Sequence, residues 1–288
     1  MSPVRRIACR SRASPPRKRS SNSSITRAEL LDLHVGGSLT ESEPIICAAH
    51  PADTFTEKAV ALLQETTQFS AVCVNPRSAG LEDMVDELEE ARRQLAIERW
   101  VFWGISGGGW LGEMYARRYP DSLSGLILES ACPCFRARLA DETCILSPYH
   151  VSWRVALTRQ GLIDPSAHEE VGDPSATEWI DVKRVGTVFR RVNGPALMAS
   201  PLPISDQMRR VMPALWEFDA RDWLGEIRAP TLILAGDADV IAPPSHSKKL
   251  HEGIATSKFV LLPAAGHSPV MQRRDDLRAA VRSFLRDL

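Results

Sequence analysis

Five short, largely apolar runs constrain this chain most: PIICAA at 44–49, SAVCVN at 70–75, RWVFWG at 99–104, SGLILES at 124–130 and PTLILAG at 230–236. Each is too short for a helix. None alternates polar with apolar as a half-solvated strand would, so each reads as a strand covered on both faces. Amphipathic stretches separate them. TEKAVALLQET at 56–66 reads as a helix, and residues 81–97 place Leu81, Met84, Val85, Leu88, Ala91 and Leu95 on one helical stripe. GWLGEMYARRYP at 109–120 continues as a helix that stops before Pro120. A further strand, KFVLLP at 258–263, lies between helices expected at about 244–254 and 269–286. LLDLHV at 30–35 is a weaker strand signal, closed by Gly36-Gly37. Strand and helix in alternation predict an α/β fold, a mostly parallel sheet with helices on both faces.

The alternation lapses between residues 131 and 225, which are rich in Pro and Trp and carry no strand period. This insertion reads as a helical cap over the strand ends, dividing a core of residues 29–130 and 226–288. Its Trp153, Trp179, Met198 and Trp216 could line a pocket or form the cap's own core. Residues 1–28 hold eight of the 35 basic residues and no acid, with much Ser and Pro, so they read as a disordered basic tail. The tail has no apolar stretch of a secretory signal, and no run of 18 apolar residues suggests a membrane span. No folded basic surface accompanies the tail, so nucleic acid is not an expected partner. The expected setting is cytoplasmic, although the Arg- and Ser-rich tail resembles an organelle address. A homo-oligomer stays open.

Six cysteines occur, at 9, 47, 73, 132, 134 and 144. Cys47 and Cys73 sit inside strand runs as small buried hydrophobes. Cys132, Cys134 and Cys144 lack the paired spacing of a zinc site, so no metal is expected and reduced thiols are the default.

Residues 104–108 read G-I-S-G-G, between a strand and a helix. That context suits a nucleophile elbow, with Ser106 on a strained turn, Gly104 and Gly108 clearing space, and the Gly107 N–H facing an oxyanion. A serine needs a base. Of seven histidines, His267 follows the last strand, in LLPAAGHSPV. His246 and His251 lie on a charged helix and are expected to face solvent. The acid would be Asp237 or Asp239, after the 230–236 strand, with Glu129 a third candidate.

The elbow GISGGG, the segment IRAPTLILAGDADVIAPP and LLPAAGHSP, in that order, resemble the α/β-hydrolase superfamily over about residues 30–288. The resemblance implies that Ser106 is the nucleophile, His267 the base and Asp239 the acid. Asp239 is the aspartate of a G-x-x-D-x-x-x-P pattern formed here by Gly236, Asp239 and Pro243. It also implies that no cofactor is needed. The family's His-Gly oxyanion segment is His50-Pro51 here, which moves the second oxyanion donor to the N–H of Ala52. The stretch before residue 44 looks short for the family's first two strands. The expected activity is hydrolysis of a small ester or amide through an acyl-enzyme. An aminopeptidase, an acyltransferase or lyase, and a noncatalytic binding protein on the same fold are the alternatives.

Overall fold

The computed structural model describes residues 5–10, 30–39, 43–51, 55–144, 147 and 206–288. They form one sheet of eight strands: β1 (Arg5–Arg10), β2 (Leu30–Gly36), β3 (Ile45–Ala49), β4 (Ser70–Asn75), β5 (Trp100–Ile105), β6 (Leu123–Glu129), β7 (Thr231–Gly236) and β8 (Ser257–Leu262). The spatial order is β1-β2-β4-β3-β5-β6-β7-β8. The strands from β3 to β8 pair in parallel, and β2 meets both β1 and β4 antiparallel. The helices are α1 (Glu57–Thr67), α2 (Leu81–Gln94), α3 (Gly108–Arg118), α4 (Phe135–Leu139), α5 (Asp206–Glu217), α6 (Pro244–Gly253), α7 (Pro269–Gln272) and α8 (Arg274–Arg286).

The continuous apolar runs are buried on both sides, as parallel strands require. Trp100, Phe102, Leu126, Leu128 and Ile233 point to one face, where they meet Leu88 of α2 and Leu111 and Tyr115 of α3. Val101, Trp103, Ile127, Leu232 and Leu234 point to the other, against Val60 and Leu63 of α1 and Leu277, Val281 and Phe284 of α8. The chain winds outward from β3 to β4, then crosses back to β5 on the other side of β3. That reversal opens a crevice beyond the carboxyl ends of β3 and β5, where ligands of open α/β sheets bind.

Three expectations change. Arg5–Arg10, expected within the tail, pairs with β2 as the edge strand β1. Two strands therefore do precede residue 44. The long terminal helix breaks at Arg273, whose backbone (φ −130°, ψ 48°) separates α7 from α8. Of the expected cap, residues 145, 146 and 148–205 lie outside the described residues, Trp153, Trp179 and Met198 among them. The chain returns beside its point of departure, with Cys134 and Asp219 in an antiparallel bridge.

Two buried carboxyls on the helices behind the crevice behave oppositely. Glu89 of α2 accepts hydrogen bonds from Arg92, Arg93 and, at 2.7 Å, the Tyr115 hydroxyl of α3, clipping the two helices together. Burial alone would raise its pKa, but these donors and the charge of Arg92 outweigh that and hold it at about 2. Glu113 of α3 is fully buried, and among the described residues neither carboxyl oxygen has a hydrogen-bond partner. Burial pushes it well above the usual carboxylate range.

The pH dependences follow with opposite sign. Glu89→Gln should cost roughly 3 kcal/mol at neutral pH, and the loss should shrink as pH falls below 4.5 toward about 2. Glu113→Met should gain about 1 kcal/mol, more at pH 8 than at pH 5, because the unpaired acid is removed. Urea unfolding across that pH range measures both.

Candidate active site

Ser106 follows β5 at the crevice with φ 52°, the left-handed region that an L-residue occupies at a cost. Its N–H is bonded to the Glu129 carbonyl at 2.8 Å, and its own carbonyl accepts from Gly109 N–H at 2.9 Å. The turn is tight enough to need glycine on both sides. A Cβ on Gly104 would lie 2.5 Å from the Gly108 carbonyl oxygen, and one on Gly108 would lie 2.4 Å from the Ala49 oxygen of β3. Gly107 is the N-cap of α3, a helix whose first-turn N–H groups have no intrahelical acceptor. The His50 ring packs against Gly107, its Nε2 2.6 Å from where a Cβ would be. Ala52 lies outside the described residues.

His267 reaches Ser106 from the loop after β8. Its Nε2 lies 2.9 Å from Ser106 Oγ and its Nδ1 2.9 Å from Asp239 Oδ2. The other Asp239 oxygen accepts from the N–H groups of Ile241, at 2.8 Å, and Ala242, at 2.9 Å. An aspartate that only accepts leaves the proton on Nδ1, so the Nε2 lone pair faces the serine hydroxyl. The two loops pack backbone to backbone: Ala238 N–H bonds to the Ala265 carbonyl at 2.9 Å, and a Cβ on Gly236 would lie 2.2 Å from that same oxygen.

Of the other candidates, Asp237 is exposed beside the buried Asp239 and its side chain joins no part of this arrangement. Glu129 does not reach His267. Its carboxylate accepts from Trp103 Nε1 at 3.0 Å and from Val270 N–H at 3.1 Å, a link that no sequence spacing announces. His246 does not face solvent, whereas His251 does. His246 is buried with its Nε2 2.9 Å from Asp141, which follows α4. Burial, with Lys249 nearby, pushes its pKa below the ordinary imidazole value, so the neutral ring donates to the Asp141 carboxylate. Cys144 makes a second tie, donating to the Ile241 carbonyl at 3.1 Å. Cys134 accepts from Ala137 N–H at the start of α4, and burial pushes the Cys132 thiol up to about 11. Cys47, Cys73, Cys132 and Cys134 are free and buried, and Cys144 is buried as well.

This arrangement can move a proton from a serine hydroxyl to an imidazole beside a helix N-terminus, the requirement of acyl transfer. Comparison with known proteins points the same way. The family model described as serine aminopeptidase, S33, matches residues 73–273. A pimeloyl-(acyl-carrier protein) methyl ester esterase of Shewanella woodyi is 26% identical over 216 residues, 73% of this chain and 78% of its own. A proline iminopeptidase of Thermoplasma volcanium is 22% identical over 219 residues, 70% of each chain. The solved structure of an α/β fold family hydrolase from Bacillus anthracis matches with a TM-score of 0.66 at 19% identity, over 88% of this chain and 95% of that one. No helix among the described residues is long and apolar enough to cross a membrane. With a parallel sheet of this order and a family match over most of its length, the chain belongs to the serine aminopeptidase (S33) family and is a hydrolase of the α/β-hydrolase fold.

Proposed function

We propose that the protein is a serine hydrolase that cleaves a small carboxylic ester, or an amide, through an acyl-enzyme on Ser106. The observation that carries this reading is the His267 imidazole, 2.9 Å from the Ser106 hydroxyl on one side and 2.9 Å from the Asp239 carboxylate on the other. In the first half-reaction Ser106 Oγ attacks the carbonyl carbon while its proton passes to His267 Nε2. Asp239 holds the tautomer and stabilises the imidazolium. The N–H of Gly107, with that of Ala52, stabilises the tetrahedral oxyanion. His267 returns the proton to the departing alcohol or amine. Water then repeats the sequence on the acyl-serine and releases the acid. Neither half-reaction requires a metal or an organic cofactor.

An ester is the favoured substrate because the Shewanella woodyi relative is named as a methyl ester esterase. An aminopeptidase is the second reading, supported by the family's own description and the Thermoplasma volcanium relative. Residues 131–225 would act as the cap that selects between them, in a protein working in the cytoplasm.

A fluorophosphonate probe followed by peptide mass spectrometry should label Ser106 in the wild type and nothing in Ser106→Ala. No labelling, with no turnover of p-nitrophenyl esters of several chain lengths or of proline p-nitroanilide, would sink the hydrolase reading. Turnover of the anilide in preference to every ester would replace the first substrate class with the second. Asp239→Asn should lower kcat by a factor on the order of 10³ or more, through loss of the correct tautomer. Asp237→Asn should leave kcat within about twofold, and equal losses in the two variants would remove Asp239 from its role.

A further inference from the structure

Glu129 is fully buried at the end of β6, between the strand that carries Ser106 and the one that leads to Asp239. A carboxylate in such a place is costly unless donors surround it. Here both donors belong to the segments that carry the nucleophile and the base. Trp103 lies in β5, three residues before Ser106, and bonds Oε2 through Nε1 at 3.0 Å. Val270 lies in α7, three residues after His267, and bonds Oε1 through its N–H at 3.1 Å. Among the described residues this last contact is the one hydrogen bond that ties α7 to the sheet. The Glu129 main chain completes the span, its carbonyl holding the Ser106 N–H at 2.8 Å.

We propose that Glu129 is a positioning residue for hydrolysis: its carbonyl fixes the Ser106 elbow, its carboxylate fixes the loop that bears His267, and so it sets the distance between nucleophile and base. This rests on the reading of Ser106 and His267 given above. Burial lifts the Glu129 carboxyl to about 7, and the bonds from Val270 and Trp103 act against that rise. The ionised group has an acceptor for each of the two N–H donors. An amide has an acceptor for only one, and presents its own N–H groups to the other.

Glu129→Gln should therefore lower both kcat on an ester and the rate of Ser106 labelling by tenfold or more, with KM within about twofold. Hydrogen exchange of the segment 268–273 should speed up in the same variant. Trp103→Phe removes one donor and leaves the Val270 contact, so it should react within about threefold of wild type. In Trp103→Phe with Glu129→Gln the amide oxygen is free to turn to Val270, and labelling should recover to within about threefold of Trp103→Phe alone. A purely structural role would lower thermal stability without this rescue. Should Glu129→Gln fail to fold, the double variant set against Trp103→Phe decides the matter. Wild-type labelling at Ser106 with an equal rate in Glu129→Gln, or no rescue in the double variant, overturns the inference alone. Absence of wild-type labelling overturns the hydrolase reading on which it rests.

Discussion

The left-handed turn at Ser106 is the constraint on which the other features of the site depend. A serine at φ 52° is uphill by about 1–2 kcal/mol, and the surrounding backbone holds it there. Its N–H is taken by β6, and Gly104 and Gly108 leave the room that any side chain would fill. Because β5 lies next to β3 at the reversal of the sheet, this turn opens directly onto the crevice. Ser130 after β6 and Ala264 after β8 share nearly the same φ, 52° and 53°. The excursions after β5, β6 and β8, all at the carboxyl ends of the strands, thus pass early through the same unfavourable backbone. Rigid strands with dense apolar faces are what can hold such strain in place.

Buried polarity divides according to whether it is satisfied. Asp239 is buried with three N–H partners and couples two loops through both of its oxygens. Glu89 gathers guanidinium and phenol donors and locks α2 to α3. Glu113 has no hydrogen-bond partner among the described residues and is a liability in the same layer of helices. A carboxylate in a core therefore acts according to the donors that face it.

Much of the fold could be read from the sequence, since short runs apolar on both sides have few other uses than as buried parallel strands. SAVCVN is β4 to the residue, and the strands after it shift by no more than one residue at either end. Edge pairing could not be read: Arg5–Arg10 looks like a solvated tail by composition, and its strand exists only through β2. Nor could the break at Arg273, because the apolar spacing runs on through α8. At the candidate site, the meeting of Ser106, Asp239 and His267 is legible because a strand-turn-helix motif and chain order point to it. The family pattern points to Asp239 rather than Asp237, and of the two it is Asp239 that is buried and meets His267. The Glu129 link and the burial of His246 were hidden because each depends on contacts between segments distant in sequence.

The ties from Asp141 and Cys144 bear on how far the chain leaving β6 is free to vary. The chain leaving β6 is moored at two points beyond β7, to the Asp239 loop through the Ile241 carbonyl with Cys144 and to α6 through His246 with Asp141. Ile241 is also the residue whose N–H holds the Asp239 carboxylate. Residues 141–144 and the seat of Asp239 thus share one peptide neighbourhood. A lineage that varies the chain leaving β6 cannot treat it as a detachable part. It must retune the acid at the same time, or keep residues 141–144 unchanged and vary only what lies beyond them.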